Sequence, residues 1–305
     1  MKMTNIIIVD SVKGGCGKTT EAIASAIRSN LLDKKKTCVI DMDILGTSIE
    51  QTLMGKCFVG HDPIEKFITH SAKKYLNDLA EDPDTLLKSK DCISNIILYT
   101  PSGEANVSFI LSSPYDKDKR RFKLSGSSNY TVQITPTHFR GVINKLINHL
   151  IDDEYETIIF DMPPNSDVYT DCVFDLFLDA KNPLKDISVE LVVVSTYDRA
   201  HIYSNTEWLV SFYEGKDHNW KPFDKITFLL NNNSYPEFND SKISLLRASV
   251  KEYIETKLPH SPEARKINIA YRSYDKELVS HFLYKDNSYT DFSAITASWF
   301  DIQII

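Results

Sequence analysis

Six short runs rich in β-branched residues punctuate the chain: NIIIVD at 5–10, TCVIDMD at 37–43, NIILYTP at 95–101, TIIFDMPP at 157–164, VELVVVST at 189–196 and KITFLLNN at 225–232. Each is apolar nearly throughout, the pattern of a strand covered on both faces. Between them apolar positions recur at helical spacing. In TTEAIASAIRSNLL (19–32), Ile23, Ala26, Ile27 and Leu31 share one face, and in HFRGVINKLINHLI (138–151), Val142, Leu146 and Leu150 do the same. Strands alternating with helices in this way predict an α/β fold: a doubly wound, mostly parallel sheet with helices on both faces.

One stretch breaks the rhythm. Between Asp43 and Asp161 there is one clear buried run; 62–90 reads as helical and charged, and 108–136 as two strands joined by a polar, basic tip. The region around 55–140 is therefore expected to be a helical and β-hairpin insertion on a single domain spanning 1–305. No internal repeat or low-complexity tract interrupts the chain.

Composition narrows the setting. The apolar fraction of 42% and charged fraction of 25% are those of an ordinary globule with a sizeable core. A net charge of −7 provides no global attraction to nucleic acid or anionic lipid, so any such contact needs a local patch. The five cysteines (Cys16, Cys38, Cys57, Cys92, Cys172) are dispersed without a CxxC, which reads as reduced thiols, with neither a disulfide frame nor a zinc site. The apolar run after MKMTN is too short for a signal peptide. No run approaches the ~20 apolar residues of a membrane helix. The expectation is a cytoplasmic protein that does not enter the membrane.

The chemistry concentrates in SVKGGCGKTT, residues 11–20, between the first strand and the first helix. A helix start carries unpartnered amides and a partial positive charge, which suits an anion. Gly14, Gly15 and Gly17 let successive amides, including that of Cys16, turn inward around a phosphate without a Cβ in the way. Lys18 is placed to reach the β- and γ-phosphate oxygens, and the Thr19 hydroxyl to ligate Mg²⁺, with Thr20 beside it. The usual Gly-x4-Gly-Lys-Thr spacing needs a glycine at position 12, where this chain has Val12, followed by Lys13.

This variant resembles the deviant Walker A motif of the ParA/MinD superfamily, which includes partition ATPases, division-site positioning ATPases and relatives of the nitrogenase iron protein. The resemblance implies that Lys13 reaches across a dimer interface to the partner's nucleotide, much as an arginine finger does. It extends to Asp41 and Asp43 in CVIDMDILG, which look like the family's switch I, and to Asp161-Met-Pro-Pro, which looks like its Walker B aspartate and switch II. By that resemblance Asp41 and Asp161 hold Mg²⁺ through water, and Asp43 orients the water that attacks the γ-phosphate. The expected catalytic set is Lys13, Lys18 and Asp43, with ATP and Mg²⁺ as cofactors.

The guanine-reading Asn/Thr-Lys-x-Asp sequence is absent, and the matching strand end has Asn231-Asn232-Asn233. Asn231 is the expected adenine contact, with Asn232 as the alternative. The C-terminal stretch carries neither a tyrosine cluster nor a basic amphipathic helix, which argues against the kinase and membrane-bound branches. Basic residues Lys117, Lys119, Arg120, Arg121, Lys123, Arg265, Lys266 and Arg272 are candidates for nonspecific DNA contact, though Asp116 and Asp118 offset part of the first group.

The resulting expectation is an ATPase that forms a homodimer on binding ATP and hydrolyses it slowly under a stimulating partner protein. Its task would be segregating DNA or positioning a cargo. The alternatives are a regulatory or assembly ATPase in a multiprotein complex without DNA, and an ATP-dependent biosynthetic enzyme of the same fold.

Overall fold

The buried runs alternate face by face along each strand, and this alternation organises two cores. In β1 (Thr4–Asp10) Ile6 and Ile8 enter one core, while Ile7 and Val9 enter the other. In β2 (Thr37–Asp41) Ile40 and Val39 divide in the same way, as do Phe160 and Ile159 in β5 (Thr157–Asp161). A strand covered on both faces needs no polar side, which is why these runs are apolar throughout. The computed structural model describes residues 3–43, 49, 76–100, 103–112, 135–164, 168–179, 184, 186–214, 223–231, 240–257, 267–272, 282–283, 289–290 and 303–304.

The other main strands are β3 (Ser94–Thr100), β4 (Gly103–Ile110), β6 (Ile187–Thr196), β7 (Lys225–Asn231) and β8 (Ile267–Arg272). Two-residue strands β9 (Phe282–Leu283), β10 (Tyr289–Thr290) and β11 (Gln303–Ile304) follow. Among the described residues the main sheet has nine strands in the order β11-β8-β7-β6-β1-β5-β2-β4-β3. Its seven inner strands are parallel; β11 and β3 run antiparallel at its two edges. β1 therefore lies centrally, between β5 and β6, where the chain order changes direction. Open α/β sheets form a ligand crevice at such a point.

Helices cover both faces unevenly. Helix α1 (Lys18–Leu31) packs Ala22, Ile23, Ala26 and Ile27 into one core. The opposite core receives α2 (Leu76–Glu81), α3 (Pro83–Ser89), α4 (Pro136–Asp152), α5 (Val168–Leu178), α6 (Arg199–Glu214) and Val250 of α7 (Asp240–Lys257). An aromatic group, Phe174 with Phe212 and Phe223, ties α5 to α6 and to the residue range before β7 at centroid distances of 5.4 and 6.4 Å. Among the described residues no helix is long and apolar enough to cross a membrane.

The structure corrects three readings in the irregular stretch. NIILYTP is not an interior strand: β3 is the sheet's outer edge, antiparallel to β4, and Ile97 is 46% exposed while Ile96 and Leu98 are buried. Its alternation was hidden because its outward residue is also apolar. β4 itself was missed over 103–107 because Gly, Glu and Asn interrupt its apolar pattern, and only Ser108–Ile110 falls in the expected hairpin. At the far end, Pro136 opens α4 instead of closing a strand. Thr135 caps that helix by accepting from the His138 amide at 3.2 Å. The tip of the expected hairpin lies outside the described residues, as do Asn232, the lysines and arginines at 117–123, and Arg265 and Lys266. Arg272 closes β8.

Candidate nucleotide-binding site

After Asp10 the chain turns through residues 11–17 into α1. Gly15 has φ +75° and Gly17 φ +96°, the left-handed region that glycine enters at little cost. Gly17 occupies the cap position of α1, and among the described residues no side chain caps that helix, so its first-turn amides are left for an anion. A Cβ on Gly14 would stand 3.8 Å from the Pro164 side chain, so the loop lies directly against the Asp-x-Pro-Pro segment. Lys18 is buried and donates from Nζ to the Lys13 carbonyl at 3.3 Å; the buried Cys16 thiol donates to the same oxygen at 3.3 Å. Thr19 and Thr20 are half-buried in the first turn, and Lys13 is half-buried at the loop's leading edge.

The carboxylates assemble through strand register. Asp41 and Asp161 are directly paired across β2 and β5, and both are completely buried. Each lies two residues beyond a residue of the α1-side core, Val39 and Ile159, so both point to the α1 side of the sheet. Burial, then the neighbouring charges of Asp161 and Asp43, push the Asp41 carboxyl well above the usual carboxylate range, against the pull of Ser112 and the Asp43 amide. Asp41 is oriented by the amides of Asp43 at 3.0 Å and Ile49 at 3.3 Å. Two adjacent buried carboxylates are a donor set that a divalent cation satisfies, so the residues fit the expected magnesium ion. Among the described residues no three His, Cys, Asp or Glu side chains converge as direct metal ligands, and the expected ion takes only two, both through water. Asp43 differs from its expected place in the 37–43 run: β2 ends at Asp41, so Asp43 lies two residues past the strand, where its carbonyl accepts from Ser112 at 3.2 Å.

Asn231 closes β7 completely buried, and its Nδ2 donates to the Cys16 carbonyl at 2.8 Å. The expected base contact thus also holds the phosphate loop. Asn231→Ala, which removes the partner of a buried carbonyl, is expected to destabilise the fold by about 1–3 kcal/mol. It should weaken binding of ATP and inorganic triphosphate alike, with an extra loss for ATP measuring any hold on adenine; titration calorimetry with both ligands checks this.

Sequence reasoning missed three residues. Ser112, just past β4, supports switch I through Asp41 and the Asp43 carbonyl. Asn205, buried on α6, bonds the start of the loop 193 residues away, and nothing local in the sequence signals it. The third is Asp10, a carboxylate leading into a phosphate loop. It is 2% exposed, its Oδ1 accepts from the Ser11 amide at 2.6 Å, and its Oδ2 has no hydrogen-bond partner among the described residues. Burial pushes its carboxyl up to about 6; the Ser11 amide and Lys18 pull it down, and Asp171 pushes it up.

A raised carboxyl favours the folded state below its unfolded value of 3.8, and that advantage is lost as pH rises through about 6. At neutral pH the ionised group therefore costs about 3 kcal/mol of stability. Asp10→Asn should raise the urea midpoint at pH 7–8 and leave it nearly unchanged at pH 4. Equal shifts at both pH values would show that the gain is not electrostatic.

Strand, glycine loop and helix, with paired carboxylates beside them, have the layout of a phosphate-binding loop at the end of a parallel sheet. The fold is that of ParA structures, and a family model and a curated relative match part of the sequence. The ParA family model, described as NUBPL iron-transfer P-loop NTPase, matches residues 2–69. The septum site-determining protein MinD of Buchnera aphidicola subsp. Schizaphis graminum is 31% identical over 162 residues, covering 53% of this chain and 45% of that protein. The chain thus matches less than half the length of this curated relative. Among solved structures, pNOB8 ParA aligns over 96% of this chain and 87% of its own at 16% identity, with a TM-score of 0.59. A second structure of pNOB8 ParA, bound to nonspecific DNA, aligns over 87% of this chain and 79% of its own at 14% identity, with a TM-score of 0.51. The likeness to these proteins is one of sequence over part of the chain, residues 2–69 for the family model, and one of fold over most of it.

Proposed function

We propose that this chain is a single-domain ATPase that binds ATP with Mg²⁺ at residues 13–20, pairs with a second copy around two nucleotides, and hydrolyses ATP slowly. The observation that carries the reading is the loop itself. Uncapped helix amides, the glycines and the folded-over Lys18 converge where β1 meets α1, beside the Asp41–Asp161 pair. Lys18 spends its ammonium on a loop carbonyl, and a phosphate oxygen is a stronger acceptor for it. Bound magnesium would supply positive charge to the β- and γ-phosphates, held by Thr19 and, through water, by Asp41 and Asp161. Asp43 orients the attacking water, and Lys13 adds its charge from the partner subunit.

The task we assign to this cycle is spatial, namely DNA segregation or cargo positioning under a stimulating partner protein in the cytoplasm. The DNA arm rests on the basic residues of the sequence and on the DNA-bound pNOB8 relative. The iron-transfer role in the matched family's description is not carried over, because the five cysteines include no CxxC. Titration calorimetry with magnesium ATP and sedimentation with and without a non-hydrolysable analogue test the reading. Binding and a doubling of mass are expected; no heat and a constant mass would defeat it. Adding random duplex DNA to the ATP-bound protein tests the DNA arm separately.

A further inference from the structure

The leading half of the phosphate loop is held by a side chain that no motif includes. Asn205, completely buried on α6, is fastened to β6 by its Nδ2, which donates to the Val194 carbonyl at 3.2 Å. Its Oδ1 accepts two bonds from the loop, from the Val12 amide at 2.9 Å and from the Ser11 hydroxyl at 3.2 Å. The Ser11 oxygen in turn accepts from the Lys13 amide at 3.4 Å. The peptide groups on the N-terminal side of Lys13 are thus tied, through Ser11 and Asn205, to the backbone of a central strand. The anchor uses both ends of a carboxamide, one donating and one accepting, which a carboxylate or an aliphatic side chain cannot reproduce. It acts at the position where the common loop has glycine and this chain has Val12.

We infer that Asn205 is a positioning residue for Lys13: it fixes the direction in which that lysine leaves the loop, and so sets its reach toward the partner's nucleotide. The inference rests on the in-trans role of Lys13 proposed above. Asn231 holds the trailing half of the loop at Cys16, so the two amides divide the work. Losing Asn231 loosens the phosphate cradle, whereas losing Asn205 misdirects Lys13 and leaves the cradle in place.

The test compares Asn205→Ala and Asn205→Leu, which is close in shape and has neither donor nor acceptor, with Lys13→Ala and wild type. Hydrogen exchange in nucleotide-free protein comes first and needs no activity: the Val12 and Lys13 amides should exchange faster in both Asn205 variants, while the Glu21 amide inside α1 stays protected. Unchanged exchange at 12 and 13 would overturn the anchor whatever the chain's function. For the ATPase, kcat should fall on the order of 10- to 100-fold with KM for ATP changed by less than about threefold, as misdirection of a positioned group predicts. The Lys13→Ala/Asn205→Ala double variant should be no slower than Lys13→Ala alone. A loss of ATP affinity matching the loss of kcat, or additive losses in the double variant, would make Asn205 a structural support of the whole loop and overturn the inference. If wild type neither dimerises nor slows on loss of Lys13, the in-trans reading falls, and the role of Asn205 toward the partner falls with it even where the exchange result stands. Should the alanine variant not fold, Asn205→Leu, close in shape and unable to donate or accept, carries the same comparisons.

Discussion

Replacing Lys13 by alanine should leave nucleotide binding nearly intact and abolish dimer-dependent turnover. The two lysines of the loop divide by environment. Lys18 is buried and folded onto the Lys13 carbonyl, and in the proposed function it serves its own subunit's phosphates. Lys13 is half-buried at the leading edge and held by its backbone amide, and in the same proposal its side chain serves the partner. A cation supplied in trans at phosphoryl transfer is worth about 10³–10⁵ in kcat. Lys13→Ala is therefore expected to lower kcat by at least about a thousandfold, with the dissociation constant for magnesium ATP within a few-fold of wild type. Turnover should also lose its dependence on protein concentration. Calorimetry and steady-state rates across a dilution series check both points, and unchanged turnover would remove Lys13 from the reaction.

Asp43→Ala should give the opposite phenotype: a long-lived ATP-bound dimer. Asp43 does not share the buried pocket of Asp41 and Asp161. It lies past the end of β2, only partly buried, with its amide bonding Asp41 and its carbonyl accepting from Ser112. Its removal therefore spares the Asp41–Asp161 pair and relieves Asp41 of one neighbouring negative charge. Binding of magnesium ATP should be retained or tightened, while hydrolysis falls by about 10²–10⁴, the usual worth of a positioned base or water-orienting group. Size-exclusion chromatography after ATP addition should show the dimer persisting for hours. A variant that hydrolyses at the wild-type rate would transfer the role to another residue.

How far these features could be read from the chain depended on the range over which their causes act. The loop was legible because its requirements are local: left-handed glycines, an uncapped helix start and a lysine one turn away all fall within residues 13–20. The interior strands were legible because burial on both faces removes polar residues altogether. β3 and β4 were not, since an edge strand with an apolar outward residue imitates an interior one, and Gly103, Glu104 and Asn106 disguise its neighbour. The aspartates were found as types, but the difference between them was not. Asp41 and Asp161 face each other through sheet pairing, while Asp43 lies off the strand, a distinction set by where β2 stops. Asn205 and Ser112 escaped because the residues they support are distant in the chain, 193 positions for Asn205 and Val12, 69 for Ser112 and Asp43.

The direct pairing of Asp41 with Asp161 has a consequence for how this molecule fails. Side chains in a strand swap sides at every residue, so sliding β2 along β5 by one step would turn one acid away from the other and into the opposite core. No half-assembled version of that pair exists between the two alignments. Damage to the sheet at this point should therefore act as an on–off loss, with the surviving fraction of molecules fully competent and the rest inert.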